Sequence, residues 1–219
     1  LASSAASDVY KRQMLYHACW DLVFLFDVNM RWYAGTPGRL WQQTICWVFI
    51  LLSGFCAPFG RYMLRRGTVV FGAGAVVTLA TLVFMPEGRV IFGVLTFLGA
   101  AMLLTGVLEP LLKKVMPAVG LGGWKLMLPQ SLYANYFTAF FGFYPDWFYS
   151  TDYFGLLPWL FLFWAGYYLH KAVGRRRMEP LRRPVCPALG WMGRHSLLLY
   201  LLHQPVIYGV LSAAAVLFA

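Results

Sequence analysis

Charge is scarce in this chain. Of its 219 residues, 12% are charged and 60% are hydrophobic. A soluble domain carries about a quarter charged residues, so the composition excludes an ordinary soluble fold. Its hydrophobic runs are close in length to the ~20 residues that cross a bilayer as a helix. The strands of β-barrels instead alternate apolar and polar residues over about ten positions. These runs are Trp41–Gly60, Val69–Met85, Val90–Leu112, Tyr153–Leu169 and Leu197–Ala219. We therefore expect an all-α, polytopic transmembrane helical bundle with about six to seven membrane segments.

Cysteine is also sparse, and its spacing suggests neither a metal site nor a disulfide framework. Three of the four cysteines lie in apolar runs, and Cys186 lies in a basic segment. The sequence contains no CxxC pair and no Cys/His ligand spacing. We expect the cysteines to act as small buried side chains and expect no metal.

The net charge of +10 is concentrated in a few connecting segments. Basic residues follow the first, third and fourth of the runs above. They are Arg61, Arg65, Arg66, Lys113, Lys114, Lys171, Arg175, Arg176, Arg177, Arg182 and Arg183. The opposite connections mix arginine with acidic residues, which is the positive-inside pattern of cytoplasmic loops. A surface facing anionic lipid accounts for this charge, so we expect the lipid bilayer and not nucleic acid as partner.

Two segments depart from the pattern. Leu1–Gln13 is rich in alanine and serine and then polar, without the order of a secretory signal. We expect it to be a non-native leader before a single transmembrane domain, 14–219, whose first helix is truncated. The charge pattern also requires a crossing within 115–152. The only apolar stretch there, Leu126–Phe148, is interrupted by proline and polar residues, so a re-entrant or interfacial helix is the alternative.

Ionisable side chains inside apolar runs mark a candidate site. His17 and Asp21 are four residues apart, so they share one face of the first helix. Ionisable groups at membrane depth are costly and are usually functional. The simpler alternative is a histidine that hydrogen-bonds a carbonyl at a helix end.

The last run carries a polar stripe. Ser196, Tyr200 and His203 occur at i, i+4 and i+7 of an otherwise leucine-rich helix. Buried polar groups at membrane depth need partners. We therefore predict that the first and last helices pack together and line one cavity, with His203 and Gln204 facing His17 across it. The alternative is a stripe that only joins helices.

The remaining candidates have simple structural interpretations beside functional ones. Ser53-Gly54 fits close helix packing by small residues, and Arg61 fits an anchor at the cytoplasmic surface. Arg194 and His195 are adjacent near the cytoplasmic face, where an anionic cofactor can dock.

Taken together, these sequence segments resemble motifs of the bacterial membrane proteins related to heparan-α-glucosaminide N-acetyltransferase. The similarity spans everything after residue 13 and extends to the wider integral-membrane acyltransferases. It rests on Tyr16-His17-Ala18 with Asp21-Leu22, on Phe49–Phe55, Ile91–Leu95 and Asp152–Trp159, and on Gly193-Arg194-His195-Ser196 with His203-Gln204-Pro205.

The resemblance implies a multi-pass enzyme of the bacterial cytoplasmic membrane. It would move an acetyl or other acyl group from cytoplasmic acyl-CoA to a sugar, or to a hydroxyl or amine of an envelope glycan. His17 would act as general base or acyl relay and Asp21 would orient it, with His203 as a further catalytic candidate. The implied substrate- or cofactor-binding residues are Ser53, Arg61, Arg65, Arg66, Arg194, His195, Ser196, Tyr200 and Gln204, the arginines meeting CoA phosphates.

Two other classes of protein fit the same residues. In a transporter, His17, Asp21 and His203 would relay protons or bind an anion. Common transporters show two related halves with interrupted helices, and no such repeat is evident in this sequence. In a scaffold subunit, the polar stripe would only pack helices.

Overall fold

The computed structural model is all-α, which confirms the predicted fold class. It describes residues 2–24, 26–112, 135–178 and 195–218, and no strand occurs within these ranges. The helices are α1 (Ala2–Phe24), α2 (Arg31–Ala34), α3 (Thr36–Cys56), α4 (Met63–Phe84), α5 (Val94–Leu112), α6 (Tyr136–Phe141), α7 (Leu156–Met178) and α8 (Ser196–Phe218). Short 3-10 turns follow α3 and α4.

Four described stretches are long and apolar enough to cross a membrane. They are Thr36–Phe59, Met63–Phe84, Val94–Leu112 and Leu197–Ala214. The chain is therefore a helical membrane protein. Of the uncertain crossing predicted within 115–152, residues 115–134 lie outside the described residues, and 135–152 contain the short helix α6. Helix α1 begins at Ala2, so residues 2–13 continue directly into the helix that carries His17.

The chain divides into two compact units. One consists of Leu1–Phe49 with Arg175–Ala219, and the other of Ile50–Gly174. The first unit brings together the two ends of the sequence. The second contains α5, which is buried along most of its length.

Glycines at heptad spacing hold α4 against α5 in the second unit. Gly67 and Gly74 lie seven residues apart on α4, as do Gly99 and Gly106 on α5. A side chain at Gly74 would come within 2.6 Å of the Thr96 amide nitrogen, and one at Gly99 would overlap the backbone of Phe71. Small residues at such positions allow membrane helices to approach closely, which gains dispersion contacts along the pair.

The Ser53-Gly54 step has the same role between α3 and α7. A side chain at Gly54 would overlap the carbonyl oxygen of Phe163, and one at Gly166 would overlap that of Leu51. The two helix backbones are therefore in contact from both sides. Close helix packing, the simpler interpretation of Ser53-Gly54, is what the structure shows.

Two loops of the second unit are joined where α5 begins. The Ile91 amide donates to Ser150 Oγ at 2.9 Å, and the Val94 amide donates to an Asp152 carboxylate oxygen at 3.3 Å. The Asp152 side chain thus satisfies one of the free amides at the start of α5. Burial raises the pKa of the Asp152 carboxyl, and the bond from the Val94 amide partly opposes that rise.

Candidate active site

The first and last helices pack together in the first unit, as predicted. Contacts between α1 and α8 place the His17 ring edge-on to the His203 ring, with 4.9 Å between the centroids. The two histidines lie 186 positions apart in the sequence, and this helix pair brings them together. The predicted juxtaposition of His17 and His203 is confirmed.

A carboxylate and an amide form the second contact between these helices. Asp21 is fully buried, and its Oδ1 accepts a hydrogen bond of 2.7 Å from Gln204 Nε2. The structure shows no hydrogen bond or ion pair between Asp21 and His17. The i, i+4 spacing does place both on one helical face, but Gln204 of the neighbouring helix supplies the amide donor that the carboxylate takes. Asp21 therefore bonds across the helices, and its orientation of His17 stays a prediction.

Helix α8 itself holds the His203 ring. His203 is 8% exposed, and its Nδ1 hydrogen-bonds the Tyr200 carbonyl oxygen one turn earlier. Pro205 follows two residues later and has no N–H to donate to the preceding turn, so the regular helical ladder is interrupted here. The ring of Tyr200 stacks on Phe49, with 6.3 Å between centroids and 11° between planes.

The segment after α1, which includes α2, packs against the helical turn that carries Tyr16 and His17. Tyr33 is buried, and its hydroxyl donates to the Tyr16 carbonyl oxygen at 3.0 Å. The rings of Tyr33 and Trp41 lie 5.0 and 5.4 Å from that of Tyr16, centroid to centroid. Burial raises the pKa of the Tyr33 hydroxyl, so it remains a donor at any physiological pH. Tyr33 could not be predicted as a site residue from the sequence, because its only signal was an aromatic pair among residues that favour turns.

The predicted anion-binding residues occur in varied surroundings. Arg61 and Arg65 are exposed, and Arg66 donates from Nη1 to the Ala57 carbonyl oxygen at 3.3 Å. Ser53 is partly buried on α3; all four belong to the second unit. His195 precedes α8, and its carbonyl oxygen accepts from the Leu199 amide.

The side chains of two predicted site residues are not described. Arg194 lies outside the described residues, and of Ser196 only the backbone position at the start of α8 is described.

The structure brings together four of the predicted site residues, His17, Asp21, His203 and Gln204. Within the described ranges, no three histidine, cysteine, aspartate or glutamate side chains cluster in a way that could hold a metal ion.

Comparison with protein families supplies the identification. The family model described as heparan-alpha-glucosaminide N-acetyltransferase, catalytic, matches residues 13–205. The chain belongs to this family. The resemblance drawn from the sequence motifs is thereby confirmed, and a membrane acetyltransferase type of function follows for the chain. No curated protein and no solved structure matches it. The matched residues include the whole of the His17, Asp21, His203 and Gln204 cluster.

Proposed function

We propose that this chain is an integral membrane acyltransferase. It moves an acetyl or other acyl group from acyl-CoA on the cytoplasmic side to a hydroxyl or amine of a sugar or envelope glycan. The observation that carries the proposal is the paired histidines, His17 and His203, beside the buried Asp21–Gln204 bond, all within the stretch matched by the family model.

The chemistry requires a base in a protected place. The acceptor oxygen or nitrogen bonds to the acyl carbonyl carbon, the carbon–sulfur bond of the thioester breaks, and the acceptor proton must leave. A positioned histidine takes such a proton and can return it to the departing CoA thiolate. His203 is buried and His17 is partly buried, so a thioester held beside them would be partly shielded from hydrolysis by water.

The donor is assigned to acyl-CoA from charge and from the family. Exposed Arg61 and Arg65 present guanidinium groups whose planar geometry suits phosphate oxygens. Both lie just before or within the first turn of α4. Arg66 is the less available of the three arginines, because part of its guanidinium is bonded to the Ala57 carbonyl.

We place the protein in the bacterial cytoplasmic membrane as a multi-pass protein. From the positive-inside pattern, residues 61–67 and 171–187 face the cytoplasm and 28–40 face outside. Single cysteines at the exposed positions Arg39 and Arg65, in a background without native cysteines, test this placement. A membrane-impermeant maleimide added to intact spheroplasts is expected to label Arg39→Cys only. Equal labelling of Arg39→Cys and Arg65→Cys would disprove the topology.

Acyl transfer is tested directly with radiolabelled acetyl-CoA and the chain reconstituted in lipid nanodiscs. The acceptor probes are methyl α-glucosaminide for an amine and N-acetylglucosamine for a hydroxyl. We expect labelled acceptor and an equal amount of free CoA thiol, both lost in the double variant His17→Ala/His203→Ala. In proteoliposomes, flux of either probe without thiol release would support a transporter in place of an enzyme.

A further inference from the structure

One hydrogen bond fixes which nitrogen of His203 carries a proton. A backbone carbonyl oxygen can only accept, so the bond between the Tyr200 carbonyl and His203 Nδ1 requires hydrogen on Nδ1. In the neutral imidazole the lone pair then belongs to Nε2, because the tautomer is set by the hydrogen bond that the other nitrogen makes. The backbone of α8 therefore presents His203 as a base at one defined atom.

That atom has no partner within the described part of the chain. His203 Nε2 is buried without a hydrogen bond from any described residue, and the same holds for Asp21 Oδ2 and Gln204 Oε1. Gln204 turns its amide nitrogen to Asp21, so its Oε1 is an acceptor; His203 Nε2 is one by its tautomer. Buried polar atoms are normally paired. A cluster of acceptors suits an occupant that donates hydrogen bonds, such as an O–H or N–H group.

His17 differs from His203 in this respect. No hydrogen bond with a described residue fixes its tautomer, and its ring contacts those of Tyr16 and His203. It is also less buried than His203. His17 is therefore suited to lining the site beside the base, whereas His203 has the fixed orientation that a base requires.

We propose that His203 Nε2 is the atom that removes the proton from the acyl acceptor, and that His17 positions the acceptor beside it. This assignment rests on the proposed acyl transfer. As the acceptor heteroatom bonds to the acyl carbon and the carbon–sulfur bond breaks, the acceptor proton moves to Nε2. The resulting imidazolium returns that proton to the CoA thiolate, which restores the neutral Nδ1–H form and balances the reaction.

Substitution of His203 by asparagine tests the roles of its two ring nitrogens separately. In His203→Asn the side-chain amide can still donate to the Tyr200 carbonyl, but nothing replaces Nε2. We expect this variant to elute as a folded protein and to lose ~10²–10⁴-fold in kcat/KM, the scale of a positioned acid–base group. The matched control is His17→Asn, for which we expect a loss of about tenfold or less. A larger loss in His17→Asn than in His203→Asn would overturn the assignment.

The pH dependence distinguishes a base from a structural residue. Protonation of Nε2 at low pH should produce an acid limb in the wild-type kcat/KM profile. We expect this limb to persist in His17→Asn and to vanish from the residual activity of His203→Asn. If His203→Asn does not fold, His203→Gln takes its place with the same expectation. An acid limb that survives in the folded His203 variant contradicts the proposal.

The tautomer can be measured without any activity. Nitrogen-15 NMR of histidine-labelled protein in bilayers, with the His203 variant used for assignment, should show Nδ1 protonated and Nε2 bare. A protonated Nε2 with a bare Nδ1 would refute the proposal even if the enzyme is active. Absence of CoA release by the wild type would instead refute the transfer reaction itself, so the two failures are distinguishable.

Discussion

Gly54→Ala is expected to destabilise the second unit severely. The added methyl group would overlap the Phe163 carbonyl oxygen, which belongs to the backbone of a packed helix and cannot rotate away. Overpacking a core usually costs about 1–3 kcal/mol, and a clash between two helix backbones lies at or beyond the upper end. We expect a loss of at least about 3 kcal/mol. Thermal unfolding in detergent, followed by tryptophan fluorescence, measures the change.

The chain offers a matched control for this substitution. Gly72 also lies within a long helix, α4, but nothing lies within 4 Å of a side chain added there. Alanine is the better helix former by about 1 kcal/mol, so Gly72→Ala should unfold at the wild-type temperature or slightly above it. A wild-type unfolding temperature for Gly54→Ala would show that α3 and α7 are not in backbone contact.

The fold class was predictable because it follows from the solvent. Apolar runs of bilayer length must be helical, since every backbone group has to be satisfied within its own segment. The run predicted as Trp41–Gly60 appears as α3, which begins five residues earlier at Thr36. Its polar first turns, including Arg39 and Gln42, carry no hydrophobic signal, so the sequence could not locate the start.

The site was predictable in part because buried polar groups are rare. His17 and His203 stand out in apolar runs, and the need for partners at membrane depth predicted that their helices meet. Which side chain pairs with which was not predictable. The same Asp21 carboxylate is within reach of a residue one turn along its helix and of residues on another helix. Only three-dimensional packing shows that Gln204 is the partner.

The Tyr200–His203 bond illustrates a further limit. Sequence spacing placed the two residues on one face of the last helix, and this suggested that their side chains would act together. The contact that matters uses the Tyr200 backbone carbonyl, which any residue at that position would supply. A side-chain motif cannot reveal a hydrogen bond made by the main chain.

Gln204→Leu is expected to destabilise the first unit more than its own lost contacts explain. Asp21 is fully buried, and Gln204 is the partner of its Oδ1. Removing the amide leaves a fully buried carboxyl oxygen without that hydrogen bond, which costs about 1–3 kcal/mol. Acyl transfer should fall as well, because Gln204 and Asp21 lie beside the two histidines. The measurements are the unfolding temperature and the rate of CoA release.

The double variant Asp21→Leu/Gln204→Leu separates stability from function. Replacing both members of a buried polar pair by apolar groups of similar size is often nearly neutral, because no unpaired group remains. We expect its unfolding temperature to recover most of what Gln204→Leu loses, while acyl transfer stays low. The single variant Asp21→Leu completes the comparison. If the double variant lost as much stability as the two single variants together, Asp21 and Gln204 would act independently. Recovery of activity together with stability would mean instead that the pair only joins α1 to α8, leaving the two histidines as the whole of the polar site.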